Sequence, residues 1–344
     1  LGSTTSAAAT LTVSAPPVFT SPNNASFANG LAGSITVAAS GSPSPTFSVS
    51  GGALPPWATL NSATGVISGT PPNFTGSPFS FTLQASNALG AATQNFTLTV
   101  SGVPAITTAP LSKLVVAGQS VSITVAASGT GLGYQWKRNG QAIAGASSAT
   151  LQIDAATLGD DGTYEAVVGN SFGTVRSVFL LHVSPLRNSV VAWGQNTTLP
   201  TDLANVLAVS AGLSGLAIKA DRTVVAWGDN TGGQATVPGD LANVVAISTY
   251  GRVSVALMAD GTVASWGYYS PPTGLGNVVA VAAGRYHVLA LKADGTVMAW
   301  GDSSYGQATV PTTLTGVIGI AAGGYHSLAV KADGTVVAWG NNEI

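Results

Sequence analysis

The sequence predicts an all-β chain built from several modules in series. Short segments that alternate apolar and polar residues recur throughout, such as Ser34–Ala38 and Phe79–Leu83, and clusters of Gly, Pro and Asn separate them. This alternation is typical of half-buried strands. The apolar spacing of an amphipathic helix is nearly absent, because 43 Gly, 18 Pro and many β-branched residues interrupt it. A Trp-Gly pair also recurs at regular intervals in the second half, which indicates internal repeats.

Charge is scarce and unevenly distributed. Only 7% of the 344 residues are charged, and the net charge is -2. Leu1 to Ser112 contains no Asp, Glu, Lys, Arg, His, Tyr or Cys, so this third of the chain has no side chain for acid-base work or calcium binding. The remaining charges are balanced in sign, which argues against a nucleic-acid or anionic-membrane partner. No run of 18 apolar residues occurs, so we expect no membrane span.

Residues 15–102 form the first complete module. Its landmarks are Leu54-Pro55-Pro56-Trp57, Gly69-Thr70-Pro71 and Ala85-Ser86-Asn87. With these landmarks the segment resembles the putative-Ig, cadherin-like module of large bacterial surface and secreted proteins, which implies a β-sandwich. Cadherin-like relatives often bind calcium through Asp and Glu, and neither residue is present here, so that function does not carry over.

Residues 103–185 resemble an immunoglobulin domain of the intermediate type. Tyr134-Gln135-Trp136 matches the Trp of the third strand, and Asp160-Asp161-Gly162-Thr163-Tyr164 matches the corner before the sixth strand. The resemblance implies a sandwich with a disulfide at the positions of Val125 and Ala166. Because the chain has no Cys, we expect Trp136 to pack on apolar side chains instead.

Residues 186–344 form a repeat array. Trp-Gly recurs with Trp at 193, 227, 266, 300 and 339, so the spacing alternates between 34 and 39 residues. The pattern of each repeat predicts three strands, with an Asp-Gly turn between the second strand and the third. We expect a type I′ turn with positive φ at both residues, and a looser turn where Arg222 replaces the Gly.

The repeats resemble the regulator of chromosome condensation repeat in its short bacterial form. The match rests on Ala-Ala-Gly-x-Tyr-His, Lys-Ala-Asp-Gly-Thr-Val and Ala-Trp-Gly, as in Ala282–His287 and Ala321–His326. It implies blades of a β-propeller. Members of the family usually close with seven blades, which needs roughly 255 residues at this spacing, so we expect an incomplete propeller of about four blades.

Both ends of the sequence read as cuts within a longer tandem-domain protein. Leu1-Gly2 followed by Thr10–Ser14 matches the end of the next module, so we interpret residues 1–14 as the last strand of a preceding Ig-like domain. The repeats stop where a further blade should begin. An alternative to a simple cut is that a neighbouring copy uses Ala7 to Val13 as a donated strand in a filament.

The candidate binding residues are Tyr and Arg side chains between the repeated strands. Loops on a rigid repeat scaffold carry recognition, and both residue types are enriched at contact surfaces. The alternative for several of these tyrosines is packing against neighbouring blades. The set is Tyr250, Arg252, Tyr268, Tyr269, Arg285, Tyr286, Tyr305 and Tyr325.

Other residues point to structure rather than chemistry. We expect the five repeated Trp to form inter-blade core, and His287 and His326 to be hydrogen-bonded strand residues without a third metal ligand. Asp221, Asp260, Asp294 and Asp333 are turn residues, and no acid-base pair or Ser-His-Asp order is apparent. We therefore expect no enzyme activity, no metal and no cofactor.

The sequence as a whole predicts a structural or adhesive segment of a large bacterial extracellular protein. Ig-like modules would form a stalk, and the propeller would present a recognition surface for a protein or glycan. Two alternatives stay open: accessory modules of a secreted hydrolase, or a protein-inhibitor propeller.

Overall fold

The computed structural model describes residues 14–193, 198–201 and 203–342, which form two compact units. The first unit contains residues 14–105 together with the short segments 128–132 and 170–173. The second unit contains all the other described residues. The all-β prediction is confirmed, because the regular elements of the described residues are strands and one short 3-10 helix. The proposed donor strand Ala7–Val13 lies outside the described residues, and the predicted domain boundaries stay predictions.

The first unit contains a β-sandwich with an apolar centre. Its sheets have the strand orders β2-β9-β8-β5, β3-β7-β6 and β1-β4. Phe27, Ile67, Leu83 and Leu98 are among the side chains buried at its core. The strands are β1 (Ala15–Phe19), β2 (Asn24–Ala28), β3 (Gly33–Thr36), β4 (Ala39–Ser42), β5 (Thr46–Gly51), β6 (Ala58–Leu60), β7 (Val66–Gly69), β8 (Phe79–Asn87) and β9 (Gly90–Ser101).

A second sandwich follows along the chain. Its main sheet has the order β11-β18-β17-β14-β15, and β12 pairs with β16 and β10 with β13. The 3-10 helix is Leu158–Asp160. The strands are β10 (Ala105–Thr108), β11 (Lys113–Val116), β12 (Val121–Thr124), β13 (Ala126–Ser128), β14 (Gly133–Arg138), β15 (Gln141–Ala142), β16 (Thr150–Ile153), β17 (Gly162–Asn170) and β18 (Gly173–Ser184).

The predicted packing of Trp136 is confirmed. Its ring lies edge-on to Phe179 at 6.1 Å between centroids, and its indole Nε1 donates to the Ser148 carbonyl at 2.8 Å. Val125 and Ala166 are both buried in the same sandwich. The Tyr164 hydroxyl donates to the Asp160 carbonyl at 2.9 Å, which is the tyrosine corner of immunoglobulin sandwiches. Apolar packing and this corner therefore stabilise the sandwich without a disulfide.

Four three-stranded antiparallel sheets follow, one per repeat, as predicted. We call them blades 1 to 4. Their strands are β19 (Val206–Ala211), β20 (Ser214–Lys219) and β21 (Val224–Gly228) in blade 1; β22 (Val244–Tyr250), β23 (Val253–Met258) and β24 (Val263–Gly267) in blade 2; β25 (Val278–Ala283), β26 (His287–Lys292) and β27 (Val297–Gly301) in blade 3; and β28 (Val317–Ala322), β29 (His326–Lys331) and β30 (Val336–Gly340) in blade 4.

The repeated Trp residues differ in burial. Trp266 and Trp300 are buried in the core shared by the blades, which confirms the prediction for them. Trp193 is 84% exposed, so the prediction is wrong for this residue. The physical reason is that Trp193 precedes blade 1 and lies outside the three-stranded sheets, so no neighbouring described strand covers its ring.

The Asp-Gly hairpins have a different turn from the one predicted. Only the second residue of each pair has positive φ, as at Gly261 (+80°) and Gly295 (+80°). The Gly261 amide donates to the Met258 carbonyl at 3.0 Å. This pattern is a three-residue connection that closes with a left-handed residue rather than a two-residue type I′ turn. The type I′ prediction was wrong because the connection is one residue longer than the Asp-Gly pair suggests.

The turn at Arg222 keeps the same geometry and is not looser. Arg222 has φ +68°, and the Asp221 carboxylate accepts from the Thr223 amide at 3.0 Å and hydroxyl at 2.6 Å, as its counterparts do in the other repeats. A non-Gly residue in this conformation is strained and needs a compensating contact. Arg222 Nη2 supplies one by donating to the Leu114 carbonyl of the second sandwich at 2.6 Å.

The blades have two distinct ends. We call the end with the Asp-Gly turns (221–222, 260–261, 294–295 and 333–334) the turn end. The opposite end, where the first strand connects to the second and the third strand finishes in Trp-Gly, is the loop end. The pairing register supports this definition, because the first residue of the second strand faces the Gly of Trp-Gly in every blade, as His287 faces Gly301.

The second sandwich packs against the turn end of the blades. Ser112 is buried, accepts from the Leu180 amide at 2.8 Å and donates to the Val279 carbonyl at 2.7 Å. The Ser177 hydroxyl and Val178 amide both donate to the Ala293 carbonyl, at 3.1 and 2.8 Å. Further contacts come from Ser184, which donates to the Leu207 carbonyl at 2.6 Å; from Leu114, which joins the buried core of the blades; and from Arg176, which lies against Gly316.

Replacing Ser112 with Ala tests this interface. The change leaves the Leu180 amide and the Val279 carbonyl without their partner in a buried position, so we expect the free energy of unfolding to fall by about 2–3 kcal/mol. Urea denaturation followed by tryptophan fluorescence measures it. Ser122→Ala, at an exposed position of β12, is the control and is expected to change stability by less than about 0.5 kcal/mol. Equal stability of both variants would contradict the interface.

Candidate recognition surface

Seven of the eight predicted binding residues lie in two neighbouring side-chain clusters at the loop end. The first cluster contains Arg252, Tyr268 and Tyr269. The Arg252 guanidinium lies over the Tyr268 ring at 5.2 Å and donates to its hydroxyl. The rings of Tyr268 and Tyr269 meet edge to face at 6.4 Å. Tyr268 is nearly half exposed, so the cation and the ring form an outward-facing pair.

The second cluster contains Arg285, Tyr286, Tyr305 and Tyr325. The Arg285 guanidinium lies 5.3 Å from the Tyr286 ring and 5.9 Å from the Tyr325 ring. Tyr325 also contacts Tyr286 at 5.8 Å and Tyr305 at 5.1 Å between centroids. These residues come from blade 3, from blade 4 and from the connection between them. The fold therefore joins three separate sequence segments in one aromatic group.

The two clusters are adjacent. A side chain at Gly251 would collide with the backbone of Arg285, so blade 2 lies directly against blade 3 at this point. Tyr269 lies on Gly301 at the end of blade 3. Burial raises the pKa of the Tyr269 hydroxyl, and the nearby Asp302 carboxylate adds to that shift. Tyr269 therefore connects the first cluster with the second.

Tyr250 is placed apart from both clusters. Its backbone lies against Gly212 of blade 1, and its side chain is 43% exposed without a ring contact to the other predicted residues. The alternative that the tyrosines pack between blades is thus partly right. Tyr269, Tyr286 and Tyr325 are partly covered by neighbours, whereas Tyr250, Tyr268 and Tyr305 remain exposed.

Two buried glutamines hold the long connections beside these clusters. Gln307 Nε2 donates to the Asp302 carboxylate at 2.8 Å, and its Oε1 accepts from the Tyr305 amide at 2.9 Å. Gln234 makes the equivalent bonds to Asp229 and to the Gly232 amide. Both glutamines are fully buried. The loop that carries Tyr305 is therefore fixed by hydrogen bonds from within.

Sequence reasoning did not identify these glutamines. The available signal was the segment Gly-Gln-Ala-Thr-Val-Pro, which occurs at both 233–238 and 306–311 and only in the 39-residue repeats. Asp229 and Asp302, which follow Trp-Gly at equivalent positions, cap the turn that comes next. Thr231 and Gln234 bond the Asp229 carboxylate, and Ser304 and Gln307 bond that of Asp302, which lowers both pKa values.

His287 is a buried neutral residue at the junction of blades 3 and 4. The Ser327 hydroxyl donates its one proton to the Gln307 carbonyl at 2.8 Å, so it accepts the proton of His287 Nε2 at 2.9 Å. His287 Nδ1 then has no hydrogen-bond partner and lies tightly against Gly284. Burial, reinforced by nearby His326, lowers the pKa of His287 to about 4. The predicted hydrogen bond is confirmed for His287, while His326 is exposed.

Potential metal ligands do not converge in the described part of the chain. Across residues 14–193, 198–201 and 203–342, no three His, Asp or Glu side chains lie close enough to hold an ion. In the same ranges no helix has the length and apolar character needed to cross a bilayer.

The low pKa of His287 predicts a loss of stability in mild acid. The unfolded chain binds the proton near pH 6.5, whereas the folded chain resists it down to about pH 4. The contribution of His287 to the free energy of unfolding is therefore fully present above pH 6.5. It decreases by about 3 kcal/mol as the pH falls from 6.5 to 4. Urea unfolding at pH 7.0 and 4.5 measures the loss.

The matched variant is His287→Val, because Val253 occupies the equivalent position of blade 2. This variant is expected to lose most of the difference between pH 7.0 and 4.5. An unchanged acid dependence in the variant would show that another group causes the effect.

Three protein-family models match the chain. Residues 9–101 match the model described as Putative Ig domain, and residues 104–183 match the Immunoglobulin I-set domain. Residues 278–307 and 317–343 match the Regulator of chromosome condensation repeat. No curated protein matches the chain.

Solved structures resemble the chain at low identity. The N-terminal four Ig domains of Dscam1 isoform 4.44 are 18% identical, with 50% of this chain and 46% of that chain covered and a TM-score of 0.41. Extracellular domains 3–5 of Drosophila OTK are 20% identical, covering 48% and 61%, with a TM-score of 0.33. Prp20p from Saccharomyces cerevisiae, which has binding properties toward Gsp1p and histones, is 23% identical, covering 42% of this chain and 46% of that chain, with a TM-score of 0.37.

The matched region spans about half the length of most of these solved chains. The three family models match in the order that the sequence resemblances predicted. The chain therefore combines a putative Ig module, an immunoglobulin I-set domain and regulator of chromosome condensation repeats.

Proposed function

We propose that this chain is a non-catalytic recognition segment in which Ig-like modules carry a propeller-type array, and in which the loop end of that array binds a partner. The observation that carries the proposal is the pair of Arg-Tyr clusters at the loop end. Tyr305, Tyr268 and Tyr250 are 50%, 47% and 43% exposed, although the cost of leaving aromatic rings in water favours burying them. Tyr and Arg are the residue types that most often anchor binding surfaces.

The position of the second sandwich supports the loop end as the free surface. Ser112, Ser177 and Arg222 form their interdomain bonds at the turn end, so that end is occupied within the chain itself. The loop end is built from the opposite ends of the same strands. A partner that approaches the blades along their strands therefore meets the tyrosines first.

The rigidity of the loops also supports a binding role. Gln307 holds both the side chain of Asp302 and the backbone of Tyr305, and the Asp302 amide donates to the Tyr286 carbonyl at 2.7 Å. Side chains presented from such fixed loops lose little conformational entropy when a ligand binds.

The states of the ionisable groups support a role without catalysis. The Asp side chains of the repeats accept hydrogen bonds from their own turns and have lowered pKa values, so they are poor proton donors or acceptors near neutral pH. His287 is fully buried, and its lowered pKa keeps it uncharged near neutral pH. The exposed groups at the loop end are suited to binding.

The proposal includes an extracellular, adhesive role on a bacterial surface. Modules of the immunoglobulin type in series with a repeat array, in a chain without Cys and with few charges, are consistent with a spacer and a binding head. Strand donation through Ala7 to Val13, which would link copies into a filament, stays a prediction within this proposal.

The double variant Tyr305→Ala/Tyr325→Ala tests the binding role. We expect it to bind at least about tenfold more weakly than the unaltered chain to whichever glycans or intact bacterial cells the latter recognises, because it removes two anchoring rings of the second cluster. A glycan array and a cell-binding assay with labelled 344-residue chain measure this.

Tyr134→Ala is the matched control, since Tyr134 is a partly exposed tyrosine of β14 in the second sandwich. It should bind like the unaltered chain. If the unaltered chain binds nothing, or if the double variant binds as well as the control, the loop end is not the recognition surface.

A further inference from the structure

The two Arg side chains of the loop end form no ion pair among the described residues, although the charge of Arg252 contributes to the lowered pKa of the Asp229 carboxyl. In the part of the chain that the structure describes, neither Arg252 nor Arg285 lies within ion-pair distance of a carboxylate. The nearby Asp229 and Asp302 instead use both carboxylate oxygens for bonds within their own loops. Each guanidinium lies on a Tyr ring, which leaves N–H donors at its edge for a bidentate bond to an anionic group.

Each cluster contains one Arg-Tyr pair, and the two pairs are built from different positions of the repeat, because the register places Arg252 where blade 3 has Tyr286. Arg252 lies over Tyr268 in the first cluster, and Arg285 lies over Tyr286 in the second. Gly251, which precedes Arg252, is in contact with the backbone of Arg285, so the two pairs are immediate neighbours. Two adjacent pairs, each of one cation and one ring, match a polymer whose units each carry one anionic group and one ring.

The backbone of the loop end argues against recognition of an extended peptide. Such binding adds a strand through free amide and carbonyl groups at a sheet edge. Here the Tyr268 amide donates to the Arg252 carbonyl at 3.1 Å, the Asp302 amide to the Tyr286 carbonyl, and the Asn341 amide to the Tyr325 carbonyl at 2.8 Å. At these positions the backbone is already paired, so recognition there relies on side chains, through ring faces and charged edges.

We propose that the loop end binds an acidic polysaccharide, with sugar rings stacked on Tyr286, Tyr305 and Tyr325 and sugar carboxylates bound by Arg252 and Arg285. The apolar C–H face of a pyranose fits the face of a Tyr ring, and a uronate carboxylate fits the guanidinium edge. This inference rests on the proposed function, because it names the ligand class of the same surface.

Isothermal titration of the intact 344-residue chain with polygalacturonate tests the inference. We expect measurable binding that weakens as NaCl increases from 50 to 300 mM, since salt screens the charge pairs. Neutral dextran should not bind. Arg285→Gln should weaken polygalacturonate binding about tenfold, which corresponds to the loss of one charge-assisted contact.

Lys331→Gln is the matched control, because it also removes one positive charge but lies at the turn end, where Lys331 contacts Asp333 at 3.1 Å. It should change the affinity less than about twofold. Thermal unfolding of both variants confirms that they remain folded. If polygalacturonate does not bind, or if the two variants lose affinity equally, the inference is wrong.

A third titrant separates this inference from the proposed function. Polyglutamate that binds as tightly as polygalacturonate would show an acidic peptide site, which overturns the sugar class and leaves the recognition surface in place. Failure of polygalacturonate to bind, together with Tyr-dependent binding to neutral glycans or to cells, would overturn the acidic ligand class and likewise leave the recognition surface in place. Cell binding that is unaffected by Tyr305→Ala/Tyr325→Ala would overturn both.

Discussion

The hydrogen bonds between the second sandwich and the turn end of the blades determine which surface of the repeat array is available. Ser112 is the central group, because its single hydroxyl accepts from one domain and donates to the other in a buried position. Arg222 adds a bond that reaches from a strained turn to Leu114. Together with the buried Leu114 side chain, these contacts make the sandwich and the blades one folded unit. The binding role assigned to the loop end depends on this arrangement.

The alternating repeat length has a physical explanation in the connections between blades. In the 39-residue repeats, the carbonyl of Gln234 or Gln307 accepts from a Ser hydroxyl and a Trp Nε1 of the next blade, as from Ser254 and Trp266. The shorter connection before blade 3 has no such Gln, Val288 stands in place of the Ser, and Trp300 Nε1 has no partner. The longer connections thus join blades 1 to 2 and 3 to 4. The shorter one brings Tyr268 and Tyr269 to the loop end.

Much of the fold followed from local sequence patterns. Alternating segments predicted strands, and the repeat of Trp-Gly predicted one three-stranded blade per unit. Both predictions succeeded because each pattern involves residues that are close together in the sequence. The turn at Arg222 was misjudged, since its compensation comes from Leu114, more than one hundred residues away. The packing of the sandwich on the blades could not be predicted for the same reason. In the sequence, Ser112 does not differ from a surface serine, because its hydrogen-bond partners are distant along the chain.

The candidate surface was predicted only in part. Tyr and Arg between the strands were identified by residue type. Their grouping depends on how blades 3 and 4 pack together, which brings Arg285 and Tyr305 onto the ring of Tyr325. Trp193 was assigned to the core on its repeat position alone, although burial depends on a neighbouring strand to cover the ring. Gln307 lies in a repeated motif that could have been noticed. Its bonds to both the Asp302 carboxylate and the Tyr305 amide depend on a loop conformation that the motif does not specify.

Hydroxyl-radical footprinting of the intact chain tests the central claim most directly, because oxidation rates report side-chain accessibility residue by residue. The account predicts fast oxidation of Tyr268 and Tyr305 at the loop end and slow oxidation of Leu114 and Leu207, which are buried where the sandwich meets the turn end. Fast oxidation of Leu114 and Leu207 would show that the sandwich does not cover the turn end in solution. That result would contradict the assignment of the loop end as the free surface.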